Sequence, residues 1–331
     1  MDILERVYQK AQKQPARMVF PEAYDEKILQ AAYQAGKKGY IKPVLVGYPQ
    51  KIKALCQDLQ LDSQVFTIYD VEDDELKETL LSAYANYPYA IFKGKSLKRR
   101  LADPLYYALV LTALDKADAA FAGISQPTGD IILAGQSIVG LKKGISTVSS
   151  CGVMQIPGFK GSEGDLLAFG DAAVCQNPDA SELASIAIAT CETVHSLLDW
   201  EPRCALLSYS SLGSGSGELA DKVVEAVRIA NEQRPDLAIE GEFQLDTAIN
   251  PSSAAKKVSQ SSEVAGRANV IIFPDLNAGN IGVKLVQQFA QADAYGPMIT
   301  GMNKVISDCS RSAPVSELVG NIALTAVRAM Y

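Results

Sequence analysis

Short apolar runs alternate with helix-period segments along the first half of the chain. Residues 17–20 form an apolar run, and residues 25–36 follow with apolar side chains at helical spacing on one face, namely Ile28, Leu29, Ala32 and Ala35. The same order returns with an apolar run at 43–46 and a helical pattern at 51–59. This alternation predicts right-handed strand–helix–strand units and a mostly parallel sheet.

The pattern restarts after two lysines at 142–143, which suggests a second domain. A new apolar segment begins at 147, and Ser181, with Glu182 in the first turn, is expected to cap a helix that runs to residue 197. We therefore predict two α/β domains with mostly parallel, three-layer sheets. The first comprises residues 1–147 plus 300–331, and the second comprises residues 148–299.

The segment VIIFPDLNAGNIGVKLVQQF (270–289) predicts a strand, a Gly/Asn loop and a helix that starts at Ile281. A loop that leads into a helix N-terminus can present backbone N–H groups to an anion, and Gly279 and Asn280 lie in this loop. Farther on, Ser310 places a hydroxyl beside the permanent cation of Arg311, and Glu317 follows seven residues later. A small anionic substrate would suit such a group of residues.

Charge and composition narrow the class of protein. The formal net charge is −7 and the pI is about 5.0, which argues against nucleic acid as a partner. The six cysteines show no zinc-type spacing, and the single histidine, His195, makes a histidine-bearing metal site implausible. The N-terminal residues MDILERVYQKAQKQ are charged and unlike a signal peptide, and no apolar run is long enough to span a membrane. We expect a cytoplasmic protein without a metal.

Three further stretches have both a functional and a plain structural interpretation. GSGSGE (213–218) could hold a phosphate or form a flexible turn, and it lacks the Lys-Ser/Thr of a Walker A motif. The loop at 123–130 offers Ser125, Thr128 and Asp130 as possible substrate contacts. The basic run KGKSLKRR (93–100), with Arg99 and Arg100, could receive a nucleotide phosphate or be a solvated helix start.

Taken together, these stretches resemble the phosphate acetyltransferase family over nearly the whole chain. The stretches that carry the resemblance include RMVFPEAYDEKILQAA (17–32), DPLYYALVL (103–111), PTGDI (127–131), LLSYSSLGSGSGE (206–218) and VAGRANVIIFPDLNAGNIGVKLVQQ (264–288). The resemblance implies reversible acetyl transfer: acetyl-CoA plus phosphate gives acetyl phosphate plus CoA. It also implies two α/β domains like those of isocitrate and isopropylmalate dehydrogenases, an active site in the interdomain cleft and a homodimer formed through the second domain. CoA enters as a substrate, and no cofactor is expected.

The resemblance also implies roles for three residues near the C-terminus. Arg311 would bind the phosphate, because a guanidinium matches phosphate oxygens in pairs. Ser310 would hydrogen-bond the reacting groups or the developing oxyanion. Glu317 would be the general base that takes the thiol proton of CoA, with Asp308 as the next candidate. Thiolate would attack directly in a ternary complex, without a covalent acyl-enzyme.

The sequence departs from the family pattern at several positions. Glu317 stands where the family usually has Asp, and two arginines that the family associates with CoA are replaced by Leu133 and by Ile91 or Phe92. We expect Arg99 and Arg100 to supply the missing positive charge. Two alternatives follow: a transferase for propionyl- or butyryl-CoA, or a non-catalytic protein that binds CoA or acyl phosphate. A dehydrogenase is disfavoured, because no strand is followed by a dinucleotide fingerprint.

Overall fold

A computed structural model describes residues 3–330 of the chain, which form two compact units. The first unit contains the chain up to Gly140 and from Met302 onward, and the second is Leu141–Gly301. The second unit thus begins seven residues before, and ends two residues after, the expected segment 148–299. The placement of an active site between the units stays a prediction.

The helices and strands include those predicted at 17–20, 25–36, 43–46 and 51–59, in the expected order. In the first unit they are α1 (Ile3–Lys13), β1 (Ala16–Phe20), α2 (Glu26–Lys37), β2 (Ile41–Gly47), α3 (Pro49–Asp58), a short 3₁₀ helix (Ser63–Val65), β3 (Thr67–Asp70), α4 (Asp74–Tyr84), α5 (Gly94–Arg100), α6 (Pro104–Ala113), β4 (Ala119–Phe121) and α7 (Thr128–Ile138). In the second they are β5 (Ser149–Gln155), β6 (Leu166–Gly170), α8 (Ala180–Leu198), β7 (Arg203–Leu207), α9 (Glu218–Gln233), β8 (Ala238–Phe243), α10 (Leu245–Ile249), α11 (Pro251–Lys257), β9 (Val270–Ile272), α12 (Leu276–Ala290) and β10 (Asp293–Thr300). The chain then returns to the first unit with β11 (Val305–Ser307) and α13 (Val315–Arg328).

The first sheet is parallel throughout, in the strand order β11-β4-β1-β2-β3. Helix α2 shows why the local prediction succeeds, since its predicted apolar residues are all fully buried. The Asp25 carboxylate accepts a hydrogen bond from the Ile28 N–H and so caps this helix. Helices α2 and α13 pack against each other, and α13 and α6 both contact strands β1, β2 and β4.

The second sheet is mixed, in the order β10-β5-β6-β9-β7-β8. Strands β6, β9, β7 and β8 run parallel, whereas β5 is antiparallel to both of its neighbours. The sheets are therefore mostly parallel, as predicted. Helix α8 packs along this sheet and buries most of its length. Asp179, not Ser181, caps α8, because its carboxylate accepts from the Glu182 N–H and the Glu182 carboxylate accepts from the Asp179 N–H. No helix in residues 3–330 is long and apolar enough to cross a membrane.

Candidate active site

Three loops of the first unit meet at the carboxyl edge of its sheet. Strands β11, β4 and β1 are adjacent and parallel, so the segments that follow Ser307, Phe121 and Phe20 leave the same edge. In open α/β sheets this edge is where ligands bind. The topology therefore gathers the predicted residues Ser125, Thr128, Ser310 and Arg311 at one end of one sheet.

The loop after β4 is held by a buried carboxylate that the sequence reasoning missed. Glu22, which is 8% exposed, accepts hydrogen bonds from four successive backbone N–H groups, those of Gly123, Ile124, Ser125 and Gln126, at 2.8, 3.1, 2.7 and 3.0 Å. The Ser125 hydroxyl donates to the same carboxylate at 2.6 Å. Ser125 therefore hydrogen-bonds within the protein. The signal that could have revealed Glu22 is an acidic residue two positions after a buried strand.

The same loop is in direct contact with the loop after β11. Gly123 has a φ of +115°, and a Cβ placed on it would lie 2.0 Å from Asp308 Oδ1 and 2.6 Å from the Cys309 nitrogen. The Thr128 hydroxyl, in the first turn of α7, donates a hydrogen bond to Asp308 Oδ2. Asp308 Oδ1 is buried and has no hydrogen-bond partner. Burial raises the pKa of the Asp308 carboxyl, and the nearby charge of Glu22 adds to this effect.

Ser310 and Arg311 lie in the exposed segment between β11 and α13. The Ser310 and Ser312 hydroxyls are 3.0 Å apart, and the Arg311 carbonyl accepts from Lys27 Nζ at 3.4 Å. Within residues 3–330, no protein group forms a hydrogen bond or ion pair with the Arg311 guanidinium. An exposed guanidinium beside a hydroxyl can bind an oxyanion in two-point fashion.

Glu317 is exposed in the first turn of α13, on the same side as the loop after β11. Its charge reaches the buried Cys309: burial is the main cause of the raised pKa of that thiol, followed by the charges of Glu22, Asp308, Asp25 and Glu317. All four carboxylates thus disfavour a negative charge on Cys309. A buried thiol with a raised pKa is a poor nucleophile, so Cys309 is suited to packing.

The predicted helix start at Ile281 is wrong, because α12 begins five residues earlier at Leu276. Asp275 caps it: its carboxylate accepts from the Ala278 N–H at 2.9 Å and its carbonyl accepts from the Gly279 N–H at 3.0 Å. Gly279 is needed for close packing, since a Cβ there would lie 2.2 Å from the Asp171 carbonyl oxygen. The backbone N–H of Gly279 is thus used within the helix, and the predicted anion-binding loop is helical.

Asn280 lies in the second unit, on the wall of a cavity of about 300 Å³. Its side-chain amide donates to the Ala172 carbonyl at 3.3 Å. Besides Asn280, the polar residues on this wall are Ser150, Lys284, Gln287 and Tyr295. The cavity is large enough for a small acyl group and offers both apolar and hydrogen-bonding walls.

Arg99 and Arg100 lie at the end of α5 and differ in environment. Arg100 stacks on the ring of Phe92, 3.5 Å from its centroid, and donates to the Ser96 carbonyl at 3.2 Å. Arg99 is exposed. Asp130, in the first turn of α7, is also exposed and takes no part in the hydrogen bond between Thr128 and Asp308. Leu133, which stands at a position of a family arginine, is 65% exposed. The binding roles of these residues stay predictions.

Comparison with known proteins identifies the family. The family model "Phosphate acetyl/butaryl transferase" matches residues 2–326. A phosphate acetyltransferase of Clostridium acetobutylicum is 41% identical over 334 residues, which cover 99% of this chain and 99% of that protein. The solved EutD phosphotransacetylase from Staphylococcus aureus superposes with a TM-score of 0.89 at 32% identity, over 99% of this chain and 98% of the other.

A more distant structure bears on the fold alone. A putative 4-hydroxythreonine-4-phosphate dehydrogenase from Salmonella typhimurium superposes with a TM-score of 0.54 at 11% identity, over 95% of this chain and 99% of the other. The fold is therefore shared with a dehydrogenase, and the expected likeness to isocitrate and isopropylmalate dehydrogenases in particular stays a prediction. The full-length family match, together with the close relatives, shows that this chain belongs to the phosphate acetyl/butaryl transferase family.

Proposed function

We propose that this chain catalyses the reversible transfer of an acetyl group between CoA and inorganic phosphate. The observation that carries the proposal is the full-length family match, joined to an exposed Ser310-Arg311 pair at the carboxyl edge of the first sheet. The substrates are acetyl-CoA and phosphate in one direction, and acetyl phosphate and CoA in the other. The reaction needs no further cofactor.

The chemistry proceeds by direct attack within a ternary complex. Glu317 takes the proton of the CoA thiol, and the thiolate attacks the acetyl carbonyl carbon of acetyl phosphate. The bond between that carbon and the phosphate oxygen breaks, and inorganic phosphate leaves. Arg311 balances the phosphate charge, and Ser310 donates to the oxyanion of the tetrahedral transition state. The raised pKa of Cys309 supports a route without a thiol nucleophile on the enzyme.

The test is a CoA-thioester assay with purified protein and acetyl, propionyl or butyryl phosphate. Arg311→Ala should abolish turnover, and Glu317→Gln should lower it about a hundredfold, within the usual range for a general base. Full turnover of Glu317→Gln would assign the base to another residue, with Asp308 next. A preference for butyryl phosphate would favour the longer-chain transferase, and no turnover with any acyl phosphate would favour the binding protein.

A homodimer is the second part of the proposal, and α12 supports it. Ile281, Leu285 and Phe289 are 58%, 48% and 83% exposed and recur every fourth residue, so they form one apolar face. Gly279 is the only described residue of α12 that is buried, which leaves this face for a second copy of the chain. Light scattering should give a dimer for the wild type and a monomer for Phe289→Asp. A wild-type monomer would contradict the proposal.

We place the enzyme in the cytoplasm, where its six free cysteines would remain reduced.

A further inference from the structure

Glu22 occupies a position that α/β proteins often leave to a bound anion. Successive N–H groups in a turn after a strand form a concave nest for negative charge. Here the nest is Gly123 to Gln126, and both oxygens of the Glu22 carboxylate fill it. Oε2 accepts from the first two N–H groups, and Oε1 accepts from the next two and from the Ser125 hydroxyl. The protein therefore supplies its own anion at this point.

The nest is in direct contact with the segment from Asp308 to Arg311, which carries the proposed catalytic residues. Gly123 packs so closely on Asp308 and Cys309 that no side chain fits between the two loops. The same loop leads into α7, where the Thr128 hydroxyl binds the Asp308 carboxylate. A shift of residues 123–126 must therefore move Asp308 as well, and Ser310 follows two residues later.

The segment after β1 also reaches the catalytic loop directly. Lys27, one residue into α2 beyond Glu26, donates to the Arg311 carbonyl at 3.4 Å. Because β1 neighbours β4, and β4 neighbours β11, residues 22–27 lie where they can hold both loops. Glu22 holds the first loop from within the protein, and Lys27 contacts the second from its exposed side.

We propose that Glu22 is a positioning residue for acyl transfer, whose carboxylate fixes the 123–126 nest and thereby the Asp308 to Arg311 segment. The inference rests on the proposed function for its kinetic readout. It assigns Glu22 no contact with substrate. A glutamine cannot replace this carboxylate, because its NH₂ group would face N–H donors on one of the two sides. The loop would have to move to relieve that contact.

The experiment uses the full chain and the variants Glu22→Gln and Glu22→Ala. Asp118→Asn is the matched control: Asp118 also accepts from a backbone N–H and a guanidinium, both of Arg17, but it lies just before β4, at the opposite edge of the same sheet. We measure kcat, KM for CoA and for acetyl phosphate, and Tm for each protein. Turnover of all four proteins is also measured with millimolar sodium formate, a small carboxylate that fits the space vacated in Glu22→Ala.

We expect kcat to fall about tenfold or more in both Glu22 variants with KM changed less than about threefold, because misplacement of catalytic groups by a fraction of an ångström lowers the rate of the chemical step. Formate should restore kcat in Glu22→Ala, and it should not raise kcat in the wild type or in Asp118→Asn. A kcat near the wild-type value in Glu22→Gln would overturn the proposal. So would a loss in Glu22→Ala that formate leaves unchanged while Tm equals that of the control.

Failure of the proposed function can be told apart from failure of this inference. If the wild type turns over no acyl phosphate, the kinetic test does not apply, and amide hydrogen exchange at 123–126 takes its place. Faster exchange in Glu22→Gln that is confined to residues 123–126 and 308–311 would support the positioning role. Unchanged exchange in those two segments would overturn it.

Discussion

Gly123→Ala should damage stability and catalysis together, because at this glycine the loop after β4 touches the loop after β11, which leads to the proposed catalytic residues. Its φ of +115° is a conformation that side chains rarely adopt, and strain of this kind costs about 1–3 kcal/mol. The added methyl group would lie 2.0 Å from Asp308 Oδ1 and 2.8 Å from the Cys309 carbonyl oxygen. Relief of such a contact by overpacking costs about 1–3 kcal/mol more.

These two costs predict a loss of about 4 kcal/mol in the free energy of unfolding of the first unit, and a unit of this size loses about 2–4 °C of Tm per kcal/mol. Calorimetry should therefore show a Tm about 8–16 °C lower than that of the wild type. To reach an ordinary van der Waals distance, Asp308 must move by more than about 1 Å, so kcat should fall about a hundredfold.

Gly129→Ala is the control, because it adds the same methyl group nearby in open space. Gly129 lies in the first turn of α7, and nothing lies within 4 Å of a Cβ placed there. Alanine is favoured over glycine in a helix by about 0.5–1 kcal/mol, so Tm should stay level or rise slightly. If Gly123→Ala matched Gly129→Ala in Tm and kept its kcat, the two loops would not be coupled as argued.

Three further predictions concern Asp308, the two arginines of α5, and Gly279. Burial raises the pKa of Asp308 above its usual 3.8, so the folded chain keeps the carboxyl proton to a higher pH than the unfolded chain does. Stability therefore falls as the pH rises from the unfolded pKa through the folded pKa of this group. Asp308→Asn should remove this part of the pH dependence in Tm measured at a series of pH values, and an unchanged slope would contradict it. Arg99→Ala should raise the KM for CoA at constant Tm, whereas Arg100→Ala should also lower Tm because it loses its stacking, and an unchanged KM in both would refute their role. Gly279→Ala should lower the free energy of unfolding by about 1–3 kcal/mol through overpacking, and Tm with it, since its Cβ would meet a backbone oxygen at 2.2 Å. A Tm equal to that of the wild type would show that α12 can shift to make room.

The parts of the fold that the sequence predicts are those with strong local periodicity. Helix α2 is the clearest case, because its buried face can be read within twelve residues. The order of strands and helices in the first unit follows for the same reason, because short apolar runs between helical patterns leave few topologies. Ser310 and Arg311 are predicted as site residues from their chemistry, and parallel pairing of β11 with β4 places them at the sheet edge.

The parts that the sequence does not predict depend on contacts that are distant along the chain. A glycine and an asparagine after Pro274 suggest a loop, yet α12 includes both because Gly279 packs on the Asp171 carbonyl more than a hundred residues away. Helix propensities disfavour glycine at this position, but the close contact with the Asp171 carbonyl leaves room for no other residue. The local signal for Glu22, an acidic residue after a buried strand, does not identify its partners, since they lie 101 to 104 positions ahead.

Buried carboxylates accept hydrogen bonds from backbone N–H groups in several loops of this acidic chain. Among the described residues, Glu22, Asp171 and Glu242 are the buried carboxylates, and each lies at or near the carboxyl end of a strand. Asp171 accepts from the N–H groups of residues 173, 174 and 175, and Glu242 accepts from the Gly213 N–H at 2.8 Å and from a nearby serine hydroxyl at 2.7 Å. The backbone donors named here are thus satisfied by carboxylates of the protein itself. Because Glu22 occupies the donors of the Gly123 to Gln126 nest, we expect phosphate to be bound by an exposed side-chain cation instead. Of the predicted site residues, Arg311 is the one that combines exposure, a fixed positive charge and a place after β11, at the same edge of the first sheet as the Gly123 to Gln126 loop.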